Sequence, residues 1–344
     1  MFRLFRPLAG LAVVFAALAP LPAASQDWTR REFPLAPPNS HDNFVAPFFD
    51  GFVENEDGSH TFSFGFLNRN EADLIEIPLG PNNYIEPAQF DGGQPTSFPV
   101  VSYGGFGGPR ERGVFGVTVP ADYEGDVWWT LITDGYETRV PGRVNSPGLL
   151  LKGAYKLSLS PQAEGSMRPS IRFTRDGPEG IGVVGIRRSE RLTTKVGQPV
   201  EVQFWAFDRG DRELKDVNMT LWKHQGPVGA PIAFESRVDS LTLPGGGRGP
   251  PPPGAAGAPP AAGAPAGRGG GRGRVQAPGP VDQGQSIRLP ITGPNANTGR
   301  FAATFATPGE YVIRIRVDNF TTGDSAPGNQ CCWSNGYVAV SVTQ

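Results

Sequence analysis

The sequence has few of the residues that most often carry metal and proton-transfer chemistry, with 3 histidines and 2 cysteines among 344 residues. Two cysteines cannot build the disulfide framework of a small secreted scaffold, and three histidines supply few metal ligands or proton shuttles. An excess of one charge is also lacking, because 31 basic residues balance 33 acidic ones and leave a net charge of −2. This balance excludes a global field that would attract nucleic acid or an anionic membrane surface.

Long helices are excluded by the abundance of helix-breaking residues. The chain has 47 glycines and 36 prolines, together about a quarter of all residues and roughly twice their average share. Aromatic residues nevertheless make up 10% of the sequence, with 22 phenylalanines, and charged residues only 19%. Such a composition excludes a wholly disordered chain and indicates a packed core built from something other than helices.

The first 25 residues have the pattern of a secretory signal peptide. Arg3 and Arg6 precede an apolar run over residues 8–19, and small residues lead to a cleavage position after Ser25. The run is shorter than the roughly 20 residues that a membrane-spanning helix needs. We therefore expect a mature chain that begins at Gln26, lies in the periplasm or outside the cell, and has no transmembrane segment.

Short alternating segments indicate β-strands from residue 41 onwards. In the clearest of them Phe62, Phe64 and Phe66 alternate with polar or small residues, so their rings lie on one face of a strand. The preceding residues 56–59 contain an Asp-Gly pair, which supplies the positive φ of a hairpin turn. About seven such segments over residues 41–155 match the size and spacing of an immunoglobulin-like β-sandwich.

A second set of alternating segments follows. In residues 311–317 apolar side chains occupy one face, and Arg314 and Arg316 lie on the other. Residues 244–280 are almost wholly Gly, Pro, Ala and Arg, a composition that predicts a disordered insertion. The chain is thus all-β, with the following predicted parts: a signal peptide at 1–25, a Pro-rich lead at 26–40, an N-terminal sandwich at 41–155, a connector at 156–180 and a C-terminal sandwich at 181–344.

Two motifs in the second sandwich resemble bacterial secreted proteins with immunoglobulin-like and PKD-like domains. Residues 307–311, Thr-Pro-Gly-Glu-Tyr, look like the turn that leads into strand F of such domains, and residues 195–207 are similar to their strand B entry. The resemblance implies that Tyr311 forms a tyrosine corner, in which its hydroxyl bonds back to the backbone. It implies a fold and no catalytic residue.

The two cysteines, Cys331 and Cys332, are adjacent. In an oxidising compartment they can form a vicinal disulfide, pair with another chain or stay free. A vicinal disulfide would serve as a redox switch, as a rigid apolar knuckle beside Trp333, or as a structural kink, and we favour the structural kink. It could not connect the two sheets of a sandwich.

Tryptophans provide the candidate recognition surface. The alternation places Trp128, Trp205 and Trp222 on the outward faces of their strands, and Trp333 lies beside the cysteines. Outward rings could stack on sugar rings or form a protein interface, and packing between the two sandwiches is the alternative interpretation. Arg314 and Arg316 would flank Trp222 through cation-π contacts if their strands are neighbours.

No catalytic, cofactor or metal site is predicted. The acidic groups at 54–57 and 208–213 lack the spacing of a calcium loop, and we interpret them as solvated hairpin tips. We therefore predict a non-enzymatic exported binding or structural protein of the bacterial envelope, with envelope proteins or polysaccharide as partners and not nucleic acid. The alternative is a carbohydrate-binding or enzyme-accessory module.

Overall fold

The alternating segments form mostly antiparallel strands in a computed structural model of the protein, and the predicted all-β class is confirmed for the residues that it describes. The described residues are 45–68, 70, 74–100, 110–145, 153, 155–157, 167–210, 217–238, 279–290, 295–319 and 332–344. The predicted signal peptide and Pro-rich lead lie outside them, as do residues 244–278 of the predicted insertion. All described residues belong to one compact unit, Ser40–Gln344.

The strands before residue 145 form what we call the N-terminal part. They are β1 (Val45–Glu54), β2 (His60–Asn68), β3 (Ile75–Glu76), β4 (Asn83–Glu86), β5 (Ser97–Phe98), β6 (Arg110–Val119), β7 (Val127–Thr133) and β8 (Tyr136–Gly142). Two three-stranded sheets, β1-β2-β6 and β4-β7-β8, are accompanied by the short pair β3-β5. A 3-10 turn spans Ala88–Phe90, and no helix among the described residues is long and apolar enough to cross a membrane.

The hairpin predicted from the Asp-Gly pair is confirmed. β1 and β2 pair antiparallel around the turn, where the Asp57 carboxylate accepts a 3.0 Å hydrogen bond from the backbone N–H of Ser59. Gly58 has a φ of +83°, which glycine adopts without steric cost. Phe62 and Phe64 are fully buried, and they belong to a core that also includes Trp129 of the second sheet.

The strands after residue 167 form what we call the C-terminal part. They are β9 (Ser170–Arg172), β10 (Gly180–Ile181), β11 (Ile186–Arg187), β12 (Leu192–Lys195), β13 (Val200–Phe207), β14 (Asn218–Gln225), β15 (Ile232–Ser236), β16 (Gly279–Val281), β17 (Ser286–Arg288), β18 (Thr298–Phe305), β19 (Gly309–Asp318) and β20 (Trp333–Thr343). One sheet has the order β10-β9-β13-β18-β15-β16, and the other, which we call the junction sheet, has the order β11-β20-β19-β14-β17.

A single apolar core lies between these two sheets. It contains Phe204 and Phe301 from one sheet and Met219, Ile313 and Val338 from the junction sheet, all of them fully buried. Each sheet therefore uses one face of its alternating strands for the core, as a sandwich requires. Both parts lie in the same compact unit, and the predicted domain boundaries at 155 and 181 stay predictions.

The end of the predicted insertion is corrected by the structure. Gly279 and Pro280, placed at its end, lie in β16, which pairs with β15 at one edge of the six-stranded sheet. Proline has no backbone N–H to donate to a neighbouring strand. It is therefore tolerated in an edge strand, which has a partner on one side only, and not in an interior strand. Composition alone predicts these two residues as part of the insertion, because composition does not show which strand a residue pairs with.

Both faces of β14 are buried, although the alternation predicted one face toward the core and one outward. Met219 and Leu221 face the core, and Thr220 and Trp222 of the same strand are also buried. Arg314 of the neighbouring strand β19 is buried as well. The outer face of the junction sheet is covered because the N-terminal part packs on it. We call this contact the junction.

Candidate functional site

The outer face of the junction sheet presents two cross-strand rows of polar and aromatic side chains. Trp222 of β14 pairs with Arg314 of β19, which pairs in turn with Tyr337 of β20. In the adjacent row Arg316 pairs with Asn335. Strand registers thus bring together residues from three separate segments of the sequence, and directly opposed side chains of this kind interact across a sheet.

Lys223 provides the most completely partnered charge of the junction. Its side chain is only 1% exposed and forms a salt bridge with Glu76 of β3. The same ammonium group donates hydrogen bonds to the backbone carbonyls of Pro227 at 2.6 Å and Ala230 at 3.0 Å. All three N–H donors of the lysine are therefore used, which is the condition under which a buried ammonium group is tolerated.

Arg314 and Arg316 share one carboxylate, that of Glu111 on β6. Their guanidinium groups donate to Glu111 Oε1 at 2.7 Å and 3.2 Å, and the side chain of Arg314 is 2% exposed. Burial lowers the pKa of Arg314, and the charge of Glu111 opposes that shift. Both guanidinium groups also lie over the ring of Trp222, at 4.1 Å and 4.9 Å from its centroid. The predicted cation-π contacts are confirmed.

His224 connects the end of β14 to the loop before β5. Its Nε2 lies 2.9 Å from the backbone carbonyl of Gly93, so that nitrogen carries the proton and donates it. The carbonyl of His224 accepts a hydrogen bond from the N–H of Thr96 at 2.8 Å. Burial, with smaller contributions from the nearby charges of Arg314 and Arg187, lowers the pKa of His224 to about 3. The imidazole is therefore neutral at physiological pH.

Side chains at the start of β20 complete the junction by donating hydrogen bonds to backbone carbonyls, including those of Gly113 and Val114 on β6. The side-chain amide of Asn335 donates to the carbonyls of Gly113 at 2.9 Å and Val183 at 3.0 Å. The hydroxyl of Tyr337 donates to the carbonyl of Val114 at 3.0 Å, and burial raises the pKa of Tyr337 to about 12. A side chain at Gly113, whose φ is +57°, would collide with Trp333 because its Cβ would lie 2.5 Å from the indole nitrogen.

A small cavity lies inside the junction. It is lined by Ser97, Trp222, His224 and Arg314, among other residues of both parts, and has a volume of about 10 Å³. That volume is about what one water molecule occupies. The junction is thus a charge-paired contact with room for about one water molecule.

The structure separates the four predicted recognition tryptophans. Trp222 and Trp333 are buried in the C-terminal part, and Trp222 packs in the junction, the alternative that the outward register left open. Trp128 and Trp205 are half-buried, and the guanidinium of Arg139 covers the ring of Trp128 at 4.1 Å. The four rings therefore do not share one exposed surface, because the outward face at Trp222 is occupied by the N-terminal part.

The fold marker Tyr311 makes the hydrogen bond that a tyrosine corner requires. Its hydroxyl donates to the backbone carbonyl of Thr307 at 2.7 Å, four residues upstream at the entry to β19. The ring is buried and packs against Phe305, with centroids 4.6 Å apart. This bond ties the loop before β19 to the sandwich core.

Comparisons with known proteins give no family for the chain. No protein-family model and no curated protein matches the sequence. Among solved structures, the CFA/I adhesin CfaE of enterotoxigenic E. coli is similar with a TM-score of 0.24 and 8% identity, over 90% of this chain and 82% of that one. The C-terminal domain of the antigen I/II-family protein AspA of Streptococcus pyogenes has a TM-score of 0.18 and 8% identity, over 87% and 99% of the two chains. Likenesses this low carry no argument about function.

The described residues contain no group of three or more His, Cys, Asp or Glu side chains that could hold a metal ion. Of the two acidic groups considered from the sequence, Glu54 forms a salt bridge with Lys156. Asp208 accepts hydrogen bonds from the N–H of Gly210 at 3.1 Å and from the amide of Asn319 at 2.6 Å. Asp211 and Glu213 lie outside the described residues.

Cys332 is buried, disulfide-bonded and has a φ of +83°. Cys331 lies outside the described residues, so the vicinal disulfide stays a prediction. In the non-reduced, purified protein we expect a monomer whose mass is two hydrogens below that of the reduced chain, as measured by intact-protein mass spectrometry. Two alkylatable thiols, or a disulfide-linked dimer, would contradict it.

No pattern in the sequence marks Glu76, Glu111, Lys223 or His224 as functional residues. The signal available was weak. Lys223 and His224 follow Trp222 directly in a strand, and basic residues that continue an alternating strand usually indicate a solvated face. The acidic partner of Lys223 lies 147 residues earlier in the sequence, and that of Arg314 lies 203 residues earlier.

Proposed function

We propose that the protein is a non-enzymatic, exported binding or structural protein of the bacterial envelope, whose two β-sandwich parts act as one rigid body. The observation that supports the rigid body is the junction, where Lys223 and Arg314 are buried and each is paired with a carboxylate of the N-terminal part. Separating the parts would leave these charges without partners, which is costly for groups that water cannot reach.

The interior of the junction supports a mechanical role. Its cavity of about 10 Å³ has room for a single water molecule and not for a substrate of several non-hydrogen atoms. The neutral His224 donates its Nε2 proton to the carbonyl of Gly93, and that nitrogen is therefore engaged in structure. Recognition is then left to the loops and outer faces that a rigid scaffold holds in place.

A carbohydrate-binding module would need an accessible row of aromatic rings. Trp222 and Trp333 are buried, and Arg139 covers the ring of Trp128, so these residues do not supply such a row. We therefore keep the broader proposal of a binding or structural protein, and the carbohydrate-binding function becomes one outcome of the test.

The proposal is tested with the mature chain from Gln26 onwards and isolated envelopes of the source bacterium. We expect the purified protein to sediment with the envelopes, and the heat-unfolded protein serves as the control for non-specific sedimentation. Envelopes treated with protease and envelopes treated with periodate identify the binding component, since loss of sedimentation after protease indicates a protein partner and loss after periodate indicates polysaccharide.

Two further measurements complete the test. Fractionation of cells that express the full chain should place the protein outside the cytoplasm with its N-terminus at Gln26. Absence of binding to every envelope fraction, a cytoplasmic location, or turnover of ester, peptide or glycoside substrates would each overturn the proposal.

A further inference from the structure

Several buried hydrogen-bonding atoms of the junction have no partner among the described residues, including Arg316 Nε and Asn335 Oδ1. The Nη1 atom of Arg314 and the Oγ atom of Ser97 have no hydrogen-bond partner, although both residues are about 2% exposed. Lys223, in the same junction, has an acceptor for each of its three donors. Of these unsatisfied residues, Arg314 and Ser97 line the cavity described above, whereas Arg316 and Asn335 do not.

The unsatisfied atoms of Arg314 and Ser97 belong to residues that line the same cavity. Ser97 lies on β5 of the N-terminal part, directly opposite Glu76 in the β3-β5 pair, and Arg314 lies on β19 of the C-terminal part. The cavity between them has a volume of about 10 Å³, about one water molecule. Each part therefore contributes to the cavity lining one residue with an unsatisfied polar atom.

The chemistry of the lining selects a hydrogen-bond acceptor. A guanidinium N–H can only donate, and a serine hydroxyl can donate as well as accept. The other terminal nitrogen of Arg314, Nη2, donates to Glu111, and His224 directs its Nε2 proton to Gly93. Desolvating a guanidinium edge without an acceptor is costly, so an acceptor of water size at this position stabilises the buried charge.

We propose that this cavity is a binding site for one water-sized hydrogen-bond acceptor, which bridges Arg314 Nη1 and Ser97 Oγ and joins the two parts of the protein. Two species in solution have this chemistry, a water molecule and a halide ion. A water accepts from Arg314 and exchanges a hydrogen bond with Ser97, whereas a halide accepts from both. The site adds a ligand-mediated contact to the direct ion pairs of the junction.

The direct test is a crystal structure of the mature chain at a resolution that shows ordered waters, from crystals grown in chloride and in bromide. We expect a density peak within hydrogen-bonding distance of Arg314 Nη1 and Ser97 Oγ. An anomalous signal in the bromide crystals identifies a halide, and a peak without that signal identifies water. An empty cavity, or a protein acceptor on Arg314 Nη1, would overturn the proposal.

A pair of hydroxyl deletions separates the bridge from the loss of any buried hydroxyl. Ser97→Ala removes one side of the bridge, and Thr130→Val is the control, because Thr130 is fully buried and its hydroxyl is also unpartnered, but it lies on β7 and does not line the cavity. We expect Ser97→Ala to weaken the density peak and to lower the Tm by about 2 °C or more. The Thr130→Val protein should keep both the peak and the Tm. An unchanged peak and Tm in Ser97→Ala would contradict the bridging role.

Discussion

Replacing Glu111 with alanine is expected to lower the free energy of unfolding by about 3–5 kcal/mol, the range for removal of one partner of a buried ion pair. Glu111 is the carboxylate that contacts both Arg314 and Arg316, and the Arg314 side chain is 2% exposed. Without Glu111 that guanidinium group keeps the cost of burial and loses its counter-charge. Urea unfolding followed by far-UV circular dichroism and tryptophan fluorescence measures the change.

The matched control is Glu310→Ala on the surface of the C-terminal part. Glu310 forms a salt bridge with Arg191, but the two side chains are 68% and 53% exposed. Exposed pairs of this kind contribute about 0–1 kcal/mol because water and salt screen them. Glu111→Gln keeps a hydrogen-bond acceptor for Arg314 and should retain part of the stability that alanine loses. If Glu111→Ala and Glu310→Ala lower the free energy of unfolding by equal amounts, the buried ion pair contributes no more to stability than the exposed one.

The strand pattern of the sandwiches could be predicted from the sequence because alternation is a local property. Phe62, Phe64 and Phe66 alternate with small and polar residues, and all three are buried in the N-terminal core. The hydroxyl of Tyr311 bonds to the carbonyl of Thr307 only four residues away. Predictions of this kind need no knowledge of distant segments, since each residue and its partner share one turn or one strand.

The junction could not be predicted, because alternation tells which residues share a face and not what covers that face. The alternation correctly predicts that Arg314 and Arg316 lie on the face opposite the core, yet the side chain of Arg314 is almost inaccessible to solvent. Its carboxylate partner lies 203 residues earlier in the sequence. A charged strand face is usually solvated, so the exception becomes visible only when the fold brings Glu111 to it.

Two neighbouring residues of β14, Lys223 and His224, have different physical roles in the junction. Lys223 is charged and fully partnered, while His224 is neutral and held by a single bond to Gly93. Both side chains connect the C-terminal part to segments that precede β5 in the N-terminal part, Lys223 to β3 and His224 to the loop at Gly93. The stability of the junction should therefore respond to pH through the group that is neutral when buried and charged when exposed.

His224 is expected to make the protein less stable as the pH falls from about 6.5 toward 3. In the folded state burial lowers its pKa to about 3 from an ordinary value of 6.5, so the unfolded chain takes up a proton that the folded protein does not. The stabilisation is complete above pH 6.5 and is lost progressively as the pH falls. At about 1.4 kcal/mol per pKa unit, the loss between pH 7 and pH 4 is about 3 kcal/mol, measurable by urea unfolding at each pH.

His224→Gln isolates this contribution, because glutamine keeps an N–H that can donate to the carbonyl of Gly93 and does not titrate. Carboxylates whose pKa is lowered in the folded protein, such as Glu179 beside Arg172, also reduce stability in acid, but they do so equally in both proteins. The variant should therefore lose less stability than the wild type between pH 7 and pH 4, by about 3 kcal/mol. Parallel curves would mean that His224 takes up its proton in the folded state near its ordinary pKa. That result would require an imidazole accessible to water, and hence a junction that opens without unfolding of the two parts.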